Sequence, residues 1–189
     1  MKTFYLVRHA QYANPLNILV GRLPVELSEA GKKEAGKLAS FFENKNIDKI
    51  YSSPVLRCKQ TSEIISSNSI SIEHDLRIAE TLSAFQGYWE MDWDYFFTHA
   101  EDLGGETPQD IHNRVTNFWD EVQSKNHNNV VICSHGDPLY LLYANIAGIP
   151  LPTIREIYKI PEDEYQPKAS IRTLIVDNNE TSIGPIINL

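Results

Sequence analysis

Apolar positions fall along the 189-residue chain in two alternating rhythms. Short, nearly continuous apolar runs give way to longer stretches in which apolar residues recur every third or fourth position. The first rhythm is that of a strand buried on both faces; the second is that of a helix with one apolar stripe. Thr3–Val7 predicts a buried strand. Residues 29–43 predict a helix with Ser28 as N-cap and Ala35, Leu38, Ala39 and Phe42 on one face. Ile47–Ser53 predicts a second strand and its exit, after which Pro54 opens a helix through Ile65, proline being suited to a first helical position. Thr107-Pro108 starts another helix, continued by Ile111, Val115, Phe118 and Val122 at spacings of four, three and four. "VVICS" (Val130–Ser134) suits the centre of a parallel sheet covered on both faces. Gly136 and Pro138 lead into a helix bearing Leu139, Leu142, Tyr143 and Ile146, and Ile171–Val176 is a late strand.

This alternation predicts an α/β fold: three layers, with a mainly parallel central sheet flanked by helices. No repeat, low-complexity segment or Pro/Gly/Ser linker divides the chain, and its length suits one domain over residues 1–189. Leu76–Gly105 breaks the rhythm. It holds Phe85, Tyr88, Trp89, Trp93, Tyr95, Phe96 and Phe97 with little periodicity. A long segment between sheet elements is expected to form a small helical insertion, a lid over the active site. Most of its aromatics are expected to pack that insertion, and one or two to face a ligand.

Hydrophobic content of 42% and charged content of 22% are ordinary for a soluble globular protein. No apolar run approaches the length of a membrane span. The N-terminal stretch lacks the apolar region and cleavage site of a signal peptide, so the expected location is the cytoplasm. Two cysteines, Cys58 and Cys133, suggest neither a disulfide framework nor a thiol metal site. The net charge of −8 argues against a nucleic-acid surface. It also means that an anion site must concentrate positive charge in one place.

Three strand ends offer such a place. Arg8-His9 closes the first strand, Arg57 follows Ser52-Ser53, and His135 follows "VVICS". In open α/β sheets ligands bind outside the carboxyl ends of the strands, so these groups are expected to converge. Two arginines and two histidines suit a phosphoryl group, because the guanidinium fork matches phosphate oxygens. The helix opened by Gly136 in "SHGDP" adds backbone N–H groups and a favourable dipole. There is no HExxH or EF-hand ligand spacing, so no metal and no cofactor are expected. Histidine is itself a nucleophile when neutral; its reference pKa is about 6.5, and a neighbouring arginine favours the neutral form.

The motifs carry a resemblance over most of the chain. "LVRHAQ" (Leu6–Gln11) is similar to the RHG motif, with Ala10 where glycine is usual. "GRLPVELSEAGKKEA" (Gly21–Ala35), "IYSSPVLRCKQTSEII" (Ile50–Ile65), "GGETPQDIHNR" (Gly104–Arg114) and "VICSHGDPL" (Val131–Leu139) follow in order. Together they resemble the histidine phosphatase superfamily, phosphoglycerate mutase-like branch. The resemblance implies a metal-independent phosphomonoester hydrolase that acts through a phosphohistidine on a small phosphorylated metabolite. It implies His9 as nucleophile and Arg8, Arg57 and His135 as holders of the phosphoryl oxygens. It also implies an acid that protonates the leaving oxygen. "HDLRIAE" favours Glu80 for that role over Glu90, although the glycine expected soon after it is displaced to Gly87. The family's asparagine is not at its usual spacing after the first arginine; Pro15 stands there, and Asn14 is carried as a phosphate contact. Pro24 replaces a typical acidic residue, and Arg22 in that stretch is either a reader of a substrate carboxylate or second phosphate or a surface arginine. The alternatives are a phosphoglycerate mutase-type phosphoryl transfer, a phosphatase acting on a protein side chain, and a non-catalytic phosphate-binding protein that has kept the pocket.

Overall fold

Strand β1 (Lys2–Arg8) sends alternate side chains into two different cores, Phe4 and Leu6 into one and Tyr5 and Val7 into the other. That alternation is possible only at the centre of a covered sheet. The computed structural model, which describes all residues but 91, 100–102, 158 and 179 and only the backbone of Trp93, Phe96 and Phe97, places β1 fourth in a six-stranded sheet of order β3-β2-β4-β1-β5-β6. Its other strands are β2 (Lys49–Ser52), β3 (Ile72–His74), β4 (Asn129–Ser134), β5 (Ser170–Asp177) and β6 (Glu180–Asn188). The pairings of β1 with β4, β4 with β2 and β2 with β3 are parallel; β5 and β6 extend the sheet antiparallel. The sheet is therefore mixed, with the parallel part expected from the sequence.

Helices α1 (Glu29–Phe42) and α2 (Leu56–Ser66) cover the face of Tyr5 and Val7. Beyond the short α3 (Trp93–His99), α4 (Pro108–Ser124) and α5 (Gly136–Ala147) cover the face of Phe4 and Leu6. A short α6 (Ile154–Ile157) precedes the return to β5. Ser28 caps α1 as expected, its Oγ accepting from Gly31 N at 3.0 Å. A full capping box of Thr107 and Asp110 opens α4. Helix α2 starts at Leu56 rather than at Pro54. Ser53 Oγ accepts from Val55 N at 3.2 Å, which holds Pro54 in a turn before the helix.

In the 76–105 segment, Tyr88, Trp89 and Tyr95 are 60%, 76% and 48% exposed. Tyr88 lies edge-on to Phe85 with ring centroids 6.1 Å apart, and Tyr95 stacks on His99 at 4.3 Å. The segment is tied down by backbone bonds, Leu19 N to Tyr88 O at 2.8 Å and Gly87 N to Leu19 O at 2.8 Å. The packing expected of Trp93, Phe96 and Phe97 lies outside the described side chains. Among the described residues, no helix is long and apolar enough to cross a membrane.

The loop after His9 is seated on the start of α1. Gln11 O accepts from Ser28 N at 3.0 Å, and a Cβ added at Gly31 would lie 1.8 Å from that same carbonyl oxygen. Backbone on one side and helix on the other leave no room to yield. Gly31→Ala is expected to destabilise the protein by about 1–3 kcal/mol. Thermal denaturation reads this as a lower midpoint; an unchanged midpoint would show that the loop moves aside freely.

Candidate active site

The parallel register of β1 and β4 sets Arg8 beside Ser134, so His9 and His135 leave neighbouring strand ends together. His9 N donates to Ser134 O at 3.0 Å, and the two imidazole rings lie 5.0 Å apart. His9 Nδ1 is 2.8 Å from Ala10 O. A carbonyl only accepts, so Nδ1 carries the hydrogen and Nε2 keeps its lone pair. The other side of the ring agrees, since Arg57 Nε donates to His9 Nε2 at 3.0 Å. His9 is buried, and burial lowers its pKa well below the ordinary value, with His135, Arg57 and Arg8 acting in the same direction. It is neutral at neutral pH.

Arg57 enters from the first turn of α2 and is fully enclosed. Its Nη2 donates to Gly21 O at 2.9 Å and to Glu80 Oε2 at 3.0 Å, and lies 3.0 Å from His135 Nδ1. His135, the N-cap residue of α5, has Nε2 at 2.8 Å from Ser53 Oγ and Nδ1 at 3.3 Å from Glu80 Oε2. Burial pulls its pKa down to about 4 despite the opposing pull of Glu80, with Arg57 and Arg8 adding to the burial effect. A neutral His135 donates from Nδ1 to Glu80 and accepts from Ser53 at Nε2. Burial works against the charged form of Glu80, yet the His135 and Arg57 contacts outweigh it and hold the carboxyl well below the usual range. Glu80 Oε1 also accepts from Thr81 N at 3.0 Å.

Four of the expected residues, His9, Arg57, Glu80 and His135, thus touch one another. Arg8 stands one layer away, donating from Nη1 to Gln166 O at 2.7 Å with its guanidinium 5.1 Å from the Tyr165 ring centroid. Arg57 Nη1 and Arg8 Nε are buried without a partner among the described residues, which leaves two cationic donors for oxygen acceptors. A cavity of about 180 Å³ opens against Tyr12, Gly21, Arg57, Glu80, Asp137 and Tyr165. A larger one of about 730 Å³ adjoins Arg8. Asp137 and Tyr165 line both and are bonded to each other, Tyr165 Oη to Asp137 Oδ1 at 2.7 Å. The smaller cavity is the one that Arg57 and Glu80 line.

The donor atoms of His9, Glu80 and His135 lie within 4.8 Å of one another, a spacing a metal ion would accept. The Arg57 guanidinium already lies against all three, so a cation fills the position a metal would need and the set does not fit one. Prior treatment with EDTA is expected to leave the hydrolysis rate unchanged; loss of activity restored by a divalent ion would reverse this assignment.

Gly136 begins α5, and a Cβ there would meet Tyr165 Oη at 2.0 Å, so its smallness lets Tyr165 reach Asp137. Asn14 commits both ends of its amide to Ile18, donating to its carbonyl at 2.9 Å and accepting from its N–H at 3.1 Å. Arg22 donates to Glu80 O at 2.7 Å and to Glu106 Oε2 at 2.8 Å, and Arg114 joins Glu106 from the other side. Arg22 therefore braces the segment that presents Glu80. Glu90 is exposed. Tyr12, Asp137, Tyr165 and Lys168 were not singled out from the sequence. Asp137 lay within "SHGDP"; nothing in the local pattern marks the other three.

The chain matches the family described as "Histidine phosphatase superfamily (branch 1)" over residues 4–183. It is 32% identical over 169 residues to Phosphoserine phosphatase 1 of Hydrogenobacter thermophilus, covering 80% of this chain and 79% of that protein. The structure of the alpha-ribazole phosphatase from Shigella flexneri is similar at a TM-score of 0.78 and 19% identity, covering 97% of this chain and 95% of that one. A phosphoserine phosphatase from Entamoeba histolytica, solved with phosphoserine, is similar at a TM-score of 0.75 and 20% identity, covering 98% and 96%. These two structures share the fold.

Proposed function

The chain belongs to the histidine phosphatase superfamily, and on that premise we propose that it hydrolyses phosphomonoesters through a phosphohistidine formed on His9. One observation carries this assignment. His9 is neutral, its Nδ1–H is fixed on Ala10 O, and its Nε2 lone pair is aimed at the guanidinium of Arg57. A phosphoryl group seated there takes over Arg57 as partner, with His135 and Arg8 supplying further donor and positive charge. His9 Nε2 attacks phosphorus, and a P–N bond forms as the ester P–O bond breaks. The developing alkoxide takes a proton from Glu80. Glu80 is ionised in the free protein, held so in part by Arg57. The charge of a bound phosphate competes for that guanidinium and raises the proton affinity of Glu80, which takes up a proton from solvent before the ester bond breaks. In the second step Glu80 takes a proton from water as the water attacks phosphorus, and the P–N electron pair returns to His9.

The substrate is a small phosphomonoester. The likeness to a protein named as a phosphoserine phosphatase supports a phosphorylated amino acid as the first compound to assay. Rapid acid-free quenching with a radiolabelled phosphate ester tests the assignment. Label that is lost in acid, retained in base and mapped to the peptide containing His9 is expected; stable label on another residue would overturn it.

A further inference from the structure

Lys168 comes to the site from the segment that leads into β5. Its Nζ lies 4.7 Å from the centroid of the Tyr12 ring. The same ring has the Arg57 guanidinium at 5.2 Å and the His9 ring at 5.6 Å. One tyrosine thus contacts two cations and the imidazole assigned as nucleophile. The backbone enforces this placement. Ala169 N is 3.2 Å from both Arg8 O and His9 O, so the residue after Lys168 is fastened to the end of β1. Ala169 also has φ of 55°, a left-handed conformation unfavourable for a residue with a Cβ. Ser170 Oγ closes the turn on Pro167 O at 2.7 Å.

Arg57 commits Nε to His9 and Nη2 to Gly21 and Glu80, which leaves Nη1 for a phosphoryl oxygen. Lys168, by contrast, makes no hydrogen bond or ion pair with any described residue. It is half-buried, and burial together with Arg8 and Arg57 opposes its charge, Glu34 only partly relieving this. In a chain of net charge −8, a cation held beside two others without a paired carboxylate gains from a bound anion.

We propose that Lys168 is a specificity-determining residue, a second anion point beside the phosphoryl position that selects substrates whose leaving alcohol carries a carboxylate. The ligand class is a phosphorylated hydroxy acid or amino acid, with the carboxylate a few bonds from the ester oxygen. The inference rests on the reading of His9 as the phosphoryl acceptor. It differs from simple attraction of phosphate, because it requires discrimination by the leaving group.

O-phosphoserine and O-phosphoethanolamine form a matched pair that differs only in the carboxylate. In Lys168→Met, kcat/KM for phosphoserine is expected to fall about 10- to 100-fold, mainly through KM, as loss of one hydrogen bond to a charged group implies. Phosphoethanolamine and an aryl phosphate are expected to be hydrolysed as by the unaltered protein, and Lys168→Arg to restore most of the loss. Calorimetric binding of both compounds to His9→Ala and to His9→Ala/Lys168→Met reads the same ratio without turnover. If no phosphohistidine forms, the His9 assignment fails while the binding ratio still decides on Lys168. A parallel loss for both compounds, or equal affinity for both when Lys168 is intact, would overturn the inference.

Discussion

His9→Ala is expected to lower kcat for every phosphomonoester by about 10⁴-fold or more while changing KM little. The size follows from what the ring supplies. Its Nε2 is a neutral lone pair in a fixed direction, set by the Ala10 carbonyl at 2.8 Å and aimed where Arg57, Glu80 and His135 meet. Alanine removes that atom but leaves Arg8, Arg57 and His135, so a phosphoryl group is still attracted and held. What remains is direct attack by water, without a covalent intermediate and without an oriented nucleophile. The fold is expected to persist, because β1 is held by Phe4, Leu6 and Val7, each fully buried, and by the His9 N–H bond that alanine retains. Steady-state kinetics on an aryl phosphate, with a circular dichroism melt as control, measure the effect. A loss of only about tenfold in a well-folded variant would mean that water attacks phosphorus directly and that His9 is a positioning group.

The readable part of this site lies where secondary structure alone dictates position. Arg8-His9 and His135 follow short apolar runs, such runs become central parallel strands, and parallel strands deliver their carboxyl ends to one edge. Arg57 is one turn beyond another such strand, and the contact of its guanidinium with both histidines follows from that placement. Lys168 and Tyr165 are different. They reach the site because the chain returns from α6 across the strand ends before entering β5, a long-range path with no local period. Strand β6 was missed for a related reason. Gly184 and Pro185 interrupt its alternation, and its pairing is supplied by β5 as template, not by its own propensity. Asn14 and Arg22 show the limit of motif spacing. Each sits near the position that the resemblance suggests, but loop geometry turns Asn14 onto Ile18, and a glutamate distant in sequence, Glu106, engages Arg22.

Glu80→Gln is expected to separate substrates by the basicity of their leaving group. For an alkyl phosphate, whose departing alkoxide needs a proton, kcat/KM should fall about 10²- to 10⁴-fold. For nitrophenyl phosphate, whose phenolate departs unaided, transfer to His9 should be far less affected. Glutamine is close to the same shape, and its carbonyl oxygen still accepts from either Arg57 Nη2 or Thr81 N, the two donors that Glu80 meets at 3.0 Å. The substitution therefore removes the proton with limited disturbance of the guanidinium. It also removes the base that activates water in the second step. With nitrophenyl phosphate the phosphorylated protein should then accumulate, and stopped-flow absorbance should show a burst of nitrophenolate equal to the protein concentration before a slow steady state. An equal loss for both leaving groups, with no burst, would mean that Glu80 serves only to orient Arg57. The contrast is decisive because orientation of Arg57 affects every phosphoryl group alike, whereas proton donation is felt only where the leaving oxygen needs it.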